Sequence, residues 1–344
     1  MTLRVSTWAS AYGADGVDFA QEAERLGVHS VWSAEAWGYD ALTPLAFLAA
    51  KTSTIKLGSG IVQLGARTPA NLAMAAMSMQ ALSNGRFLLG VGTSGPQVME
   101  GWHGVRFRKP IQRTRETIEI VKRIVSGEKL AYDGELYTLP LPDGPGRSIR
   151  VSAPPVEMPV YVASLGPANL RLTGELADGW VGTSFMPESA DVFFDEIRAG
   201  AEAAGRSLDG FDYNVAVGVE FTDDVDETAK RHARGYAFMF GAMGSRNQNF
   251  YKDAFERQGF ADDARAVQAL WLEGKREEAA DRVPVEIALR TNLIGTKDMV
   301  LERLRVYRNA GVTTLRAGLP GRDLDARLGA LAQLIDLVGE VNRE

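Results

Sequence analysis

The stretch between Ile55 and Pro96, IKLGSGIVQLGARTPANLAMAAMSMQALSNGRFLLGVGTSGP, constrains the fold most. Apolar-rich runs over residues 55–63 and 86–91 read as strands, and the periodic stretch 69–82 between them reads as a helix. A strand, a helix and a second strand at this spacing form a βαβ unit with parallel strands. Each strand delivers glycines at its C-terminal end: Gly58-Ser59-Gly60 in the first, and Gly90-Val91-Gly92-Thr93-Ser94-Gly95 in the second. Two such ends side by side on one sheet edge make a bed for a flat ligand.

The alternation continues along the chain. Strands are expected over 3–8, 30–33, 55–63, 86–91, 160–163, 179–182, 213–221 and 314–317. Helical spacing covers 15–26, 42–51, 69–82, 112–125, 168–176, 189–204, 226–239, 296–310 and 324–341. Eight strands separated by helices imply a parallel sheet, and eight units favour a closed (β/α)8 TIM barrel over an open doubly wound sheet. The chain of 344 residues accommodates one barrel domain over 1–344 with insertions after strands four and seven. The first insertion, 97–159, opens as a loop over 97–110 and carries a Gly- and Pro-rich excursion with a hairpin near 130–138. The second, 241–293, loosens into short helices over 249–256, 264–273 and 277–280.

Charge and composition narrow the partners. A formal net charge of −6 argues against non-specific binding to nucleic acid or to an anionic membrane. The absence of cysteine excludes disulfides, thiolate catalysis and thiolate-ligated metals, and suits a reducing compartment. No apolar run approaches the ~20 residues needed to span a bilayer. The start MTLRVSTW lacks a charged region followed by an apolar one, so no signal peptide is expected. The expectation is a soluble, cytoplasmic protein acting on a small molecule.

Gly90-x-Gly92-x-x-Gly95 spells a dinucleotide fingerprint, which requires a helix opening within the glycines and an acid about 20 residues further on. Here Pro96 follows at once, no long periodic helix opens until Gln112, and no strand ends in a suitably placed acid, so a tight turn at a barrel mouth is the better reading. Ser164-Leu165-Gly166-Pro167-Ala168-Asn169 joins a strand to a helix and reads either as an anion site at a helix N-terminus or as a plain turn. Glu35 follows the second strand at its C-terminal end, the functional end of a barrel, although a helix-initiating acid would look the same.

The histidines divide by place. His29 falls at the opposite barrel end and reads as structural, and His232 sits in a charged helix (Lys230, Arg231, Arg234) and reads as solvated. His103 lies in a loop at the active-site end, where ligand contact or proton transfer is open to it. No pair has metal-ligand spacing, so no metal is expected. Trp8, Trp37, Trp102 and Phe185 fall at strand ends or in the loops after them, and several aromatics at one mouth suit a planar ring.

The segments RFLLGVGTSGPQVMEGWHG, VYVASLGPANLRLTGELADGW and NFYKDAFERQGFADDA resemble the bacterial luciferase-like superfamily. AEAWGYDALTPLAF and the 241–293 insertion are similar to its coenzyme F420-dependent branch, related to methylenetetrahydromethanopterin reductase and represented in actinobacteria. The resemblance implies a barrel with F420 across its C-terminal mouth and a non-proline cis peptide at Gly60-Ile61 behind the deazaflavin. It also implies that Thr93 and Ser94 contact the cofactor, that Ala163, Ser164, Leu165, Gly166 and Pro167 hold its phosphate arm, and that Glu35 lies near the ring. Two positions depart from the branch's sugar-phosphate dehydrogenases: Ala36 replaces a histidine, and Gly95 replaces an acid, so their acid/base mechanism does not carry over.

The expected activity is hydride transfer between deazaflavin C5 and a small organic substrate, with Glu35 and His103 managing protons. The alternatives are an FMN-dependent monooxygenase fed by a partner reductase and a non-catalytic cofactor-binding barrel. A homodimer is in keeping with the resemblance.

Overall fold

Strand β1 (Arg4–Trp8) leads into helix α1 (Ala14–Arg25), and β2 (Ser30–Ser33) into α2 (Leu42–Ala49). The third stave comes in two pieces, β3 (Lys56–Ser59) and β4 (Val62–Gln63), and is followed by α3 (Pro69–Ser83) and β5 (Phe87–Gly92). This is a computed structural model that describes residues 2–9, 12, 14–244, 249–321 and 323–344.

Local chemistry sets these boundaries. The Thr68 side chain accepts the Asn71 N–H, Pro69 occupies the first turn of α3, and Asn84 ends the helix in the left-handed conformation at φ 54°. Between those caps α3 buries Leu72, Ala73, Ala76, Met77 and Met79. Strand β5 is buried at all six residues, as a parallel strand covered on both faces must be. Its approach to β3 depends on Gly90, where a Cβ would stand 1.8 Å from the Ser59 carbonyl oxygen. The Ser59 hydroxyl donates to Gly90 O, and the Gly90 N–H donates back to Ser59 Oγ, both at 2.9 Å.

The first excursion holds α4 (Pro96–Gly101), α5 (Pro110–Val125) and an antiparallel hairpin of β6 (Tyr132–Asp133) and β7 (Thr138–Leu139). The barrel resumes with β8 (Val160–Val162), α6 (Pro167–Leu176), β9 (Gly179–Gly182), α7 (Asp191–Ala203), β10 (Asp212–Phe221) and α8 (Val225–Gly241). Then come α9 (Phe250–Phe255), a π-helical turn (Glu256–Phe260), α10 (Ala261–Leu272), α11 (Arg276–Asp281) and α12 (Val285–Thr291). The chain closes with β11 (Leu293–Gly295), α13 (Lys297–Asn309), β12 (Thr314–Gly318) and α14 (Leu324–Arg343).

Parallel pairing runs β1–β2–β3–β5–β8–β9–β10–β12 and returns to β1, with β4 continuing the third stave against β5. Eight parallel staves ringed by helices are the expected (β/α)8 TIM barrel. The differences from the sequence reading are local. Residues 97–110 are not loop throughout, because Pro96 opens the short helix α4. Strand β11 pairs with the far end of β10, Leu293 opposite Val219, and neither it nor α12 is visible in the sequence pattern. A three-residue strand is too short to display a period. The third stave breaks at a cis peptide between Gly60 and Ile61, the bond implied by the family resemblance.

Below the barrel, at the N-terminal ends of the strands, buried Asp212 accepts from Arg4 Nη2 (2.7 Å), Thr313 Oγ1 (2.6 Å), Thr314 Oγ1 (2.7 Å) and Tyr161 Oη (3.1 Å). His29 lies at this end, and burial together with the neighbouring Arg4 and Lys56 charges lowers its pKa to about 4. His232 is not solvated as its charged helix suggests: its Nε2 lies 2.9 Å from Glu220 on the neighbouring strand. Among the described residues no helix is long and apolar enough to cross a membrane, and no three side chains gather as a metal site.

Candidate active site at the barrel mouth

Strand C-termini in a parallel barrel all open on one face, so the loops after β2, β4, β5 and β8 meet there. They enclose a cavity of about 600 Å3. Glu35 comes from the β2 loop, Gly60 and Ile61 from the break in the third stave, Thr93 and Ser94 from the end of β5, and Ala163 to Pro167 from the turn into α6. The structure thus brings together ten positions that the sequence reading singled out, spread over more than 130 residues of chain. His103 is set one residue back from the wall.

The floor is flat and apolar. Ile61, Gly92 and Ala163 pack so closely that a Cβ on Gly92 would lie 3.1 Å from Ile61 and 3.4 Å from Ala163. Ser94 leaves β5 in the left-handed conformation at φ 56°, which turns the chain out of the sheet before α4. Across the cavity, Gly166 caps α6 with Pro167 in its first turn. The backbone N–H groups of Leu165 and Gly166 have no partner among the described residues. The Ser164 hydroxyl is committed to Thr173 at 2.8 Å, since Thr173 itself donates to Asn169 O, so Ser164 contributes through its backbone.

Two further polar atoms at this end are buried and unpartnered: Asn169 Oδ1 and Arg257 Nε. Arg257 reaches over from the π-helical turn, and its Nη2 donates to Leu165 O. An apolar floor on which Gly60, Gly92 and Ala163 leave room beside Ile61, next to free amides at a helix N-terminus, fits a planar ring with a phosphate arm.

Glu35 is more committed than its position suggests. Its carboxylate receives Arg67 Nη1 at 2.7 Å and Nη2 at 3.1 Å, and also the backbone N–H groups of Gln63 (2.9 Å) and Ala41 (3.2 Å). The side chain is 8% exposed, so this is a forked, largely desolvated pair. Gln63 spends both amide protons on the carbonyls of Glu35 and Ala36. That leaves its Oε1 facing His103 Nε2 at 2.7 Å, which places the histidine proton on Nε2. His103 therefore reaches the cavity through Gln63.

Sequence reasoning did not identify Gln63, Arg67 or Arg257, and it named Asn169 only as the last residue of the turn into α6. A polar residue ending a barrel strand was a legible sign for Gln63. Arg257 had none, because its place depends on how the second insertion folds back over the mouth. Phe250 and Tyr251 from that insertion form the far wall for the same reason, together with Phe238 of α8. Of the aromatics expected at the mouth, Trp37 lines the cavity and Trp8 a neighbouring recess. Phe185 is instead a core residue, 1% exposed and packed against Trp180, Phe193 and Phe194, and Trp102 is 65% exposed at the end of α4.

Comparison with known proteins agrees with this geometry. A Mycobacterium tuberculosis protein carrying the provisional name coenzyme F420-dependent oxidoreductase is 34% identical, over 91% of this chain and 93% of its own. The 5,10-methylenetetrahydromethanopterin reductase of Archaeoglobus fulgidus is 30% identical over 88% of each chain. The solved structure of coenzyme F420-dependent tetrahydromethanopterin reductase from Methanopyrus kandleri superposes with a TM-score of 0.79 at 21% identity, covering 97% of this chain and 98% of that one. The family model for luciferase-like monooxygenases matches residues 2–314, nearly the whole barrel from β1 to β12, and the chain belongs to that family.

Proposed function

We propose that this protein is a coenzyme F420-dependent oxidoreductase that moves a hydride to or from a small organic substrate. One observation carries the reading: a single cavity joins a flat floor of Gly60, Ile61, Gly92 and Ala163 to the free amides of Leu165 and Gly166. The names of the relatives at 34 and 30% identity support the choice of cofactor. When bound, the deazaflavin supplies hydride chemistry at C5.

The chain's own residues bind and orient. Thr93 and Ser94 border the ring bed, and the 163–167 turn with Asn169 and Arg257 takes the phosphate. Glu35 and Arg67 brace the β2 loop against Gln63, which makes Glu35 a positioning residue. His103 holds its proton on Nε2 against Gln63 Oε1, and because Gln63 gives its own amide protons to the Glu35 and Ala36 carbonyls, His103 fixes that side chain at the cavity wall and acts as a positioning residue. Exposed Phe47, Met74 and Leu82 on the adjoining helices α2 and α3 offer an apolar face to a second copy, and sedimentation would show the dimer.

Equilibrium titration with F420 and with FMN tests the cofactor. Micromolar binding of F420 with weak FMN binding supports the proposal. The reverse would sink it and point to a reductase-coupled monooxygenase.

A further inference from the structure

A second recess, of about 450 Å3, opens on the β1–β2 side of the mouth. The chain after β2 serves both spaces: Glu35 and Trp37 line the cofactor cavity, Ala34 and Gly38 line the recess, and Ala36 borders each. Trp8 stands at the partition, since a Cβ on Gly60 would come within 3.3 Å of its ring. A molecule in the recess would therefore lie beside the floor of the first cavity.

The recess is a slot between aromatic rings. Trp8 lines it, as do the stacked rings of Tyr12 and Tyr39, with centroids 3.9 Å apart, while the Trp32 ring is fully buried beneath. Ala9, Ala34, Ala36 and Gly38 keep the space between them open. Among the described residues no Asp or Glu side chain lines it, and Arg327 stands at its rim. The Arg327 guanidinium lies 4.1 Å from the Phe19 ring and has no carboxylate within ion-pair distance among the described residues. Behind the indoles a second cation is buried: the Arg316 guanidinium sits 4.8 Å from the Trp8 ring and 5.6 Å from the Trp32 ring. It donates only to Asn214 Oδ1 and Gly182 O, which are neutral, and its Nε has no partner. The Asp212 charge acts on Arg316 and the Asp40 charge on Tyr12, so Arg327 at the rim is the cation open to an anionic ligand.

We infer that this recess is the substrate site and selects a planar aromatic or conjugated carboxylate, its ring in the slot and its carboxylate on Arg327. Calling it the substrate site rests on the F420 reading, but the binding selectivity does not. Calorimetric titration of the full chain with cinnamate and with its neutral amide, cinnamamide, tests the selectivity directly. Cinnamate is expected to bind about ten-fold more tightly than the amide, the scale of one charge-assisted pair in a half-buried site.

Arg327→Gln should erase that preference and Arg327→Lys should keep part of it, both with F420 affinity unchanged. Ala34→Trp, a change on an exposed loop, should fill the slot and abolish cinnamate binding. Equal affinity for the two probes, failure of both to bind, or a preference that survives Arg327→Gln would each overturn the inference. If F420 fails to bind while the preference still depends on Arg327, the cofactor reading falls and this one stands.

Discussion

Replacing Arg67 with methionine leaves the Glu35 carboxylate in place, 8% exposed, with only two backbone N–H donors. Two unit charges about 3 Å apart interact by roughly 5 kcal/mol at an effective dielectric of 20, most of which offsets their desolvation. Truncating one partner of such a pair costs about 3–5 kcal/mol when it is fully buried. Arg67 is 21% exposed, so water can reach part of the site and about 2–3 kcal/mol is the expected loss. Denaturant unfolding of wild type, Arg67→Met, Glu35→Gln and the double variant measures this as a cycle.

If the penalty is the stranded charge, Glu35→Gln in the Arg67→Met background restores at least about 1 kcal/mol, and the coupling is of that size. The Arg67→Met variant should also bind F420 more weakly, because Glu35 ties the β2 loop to Gln63 at the cavity wall. Stability of Arg67→Met within ~0.5 kcal/mol of wild type, or strictly additive single changes, would refute the bracing role.

Other substitutions separate binding from folding. Ala168→Asp puts a negative charge in the exposed first turn of α6, where it favours the helix by about 0.5 kcal/mol yet repels a phosphate, so melting temperature should hold while F420 affinity drops. Gly90→Ala sets a methyl 1.8 Å from the Ser59 carbonyl oxygen, and a loss of about 4 kcal/mol or a failure to accumulate folded protein is expected by circular dichroism. His29 has a folded pKa of about 4 against 6.5 when unfolded, so the unfolded chain binds the extra proton first. Stability is complete above pH 6.5 and falls as pH drops toward 4, by about 3 kcal/mol, and a His29→Leu variant should lose that part of the slope in urea titrations at each pH.

Much of the site was legible because strand ends announce themselves. Gly58 to Gly60, Gly90 to Gly95 and Ser164 to Pro167 each sit where an apolar run meets a helix, and a closed parallel barrel must carry all three to one face. Glu35 was found on the same logic, but its use was not. Whether a carboxylate faces a ligand or an arginine depends on a contact 32 residues away in sequence. His103 likewise meets Gln63 Oε1 behind the cavity wall only because Gln63 has committed its amide protons elsewhere.

The sequence by itself determined the period of alternation, the eight staves, the glycine-bearing strand ends and the membership of a family. Those are local or additive properties, carried by spacing and by residue type. Only the tertiary structure decided that Phe185 is core, that Arg257 from a distant insertion reaches the Leu165 carbonyl, and that a second recess with Arg327 at its rim opens on the β1–β2 side. These outcomes depend on packing between segments far apart in the chain, where burial and charge are set by neighbours that no sequence window contains. The glycine-rich unit lines one side of the cavity, and residues folded over it from elsewhere close the other.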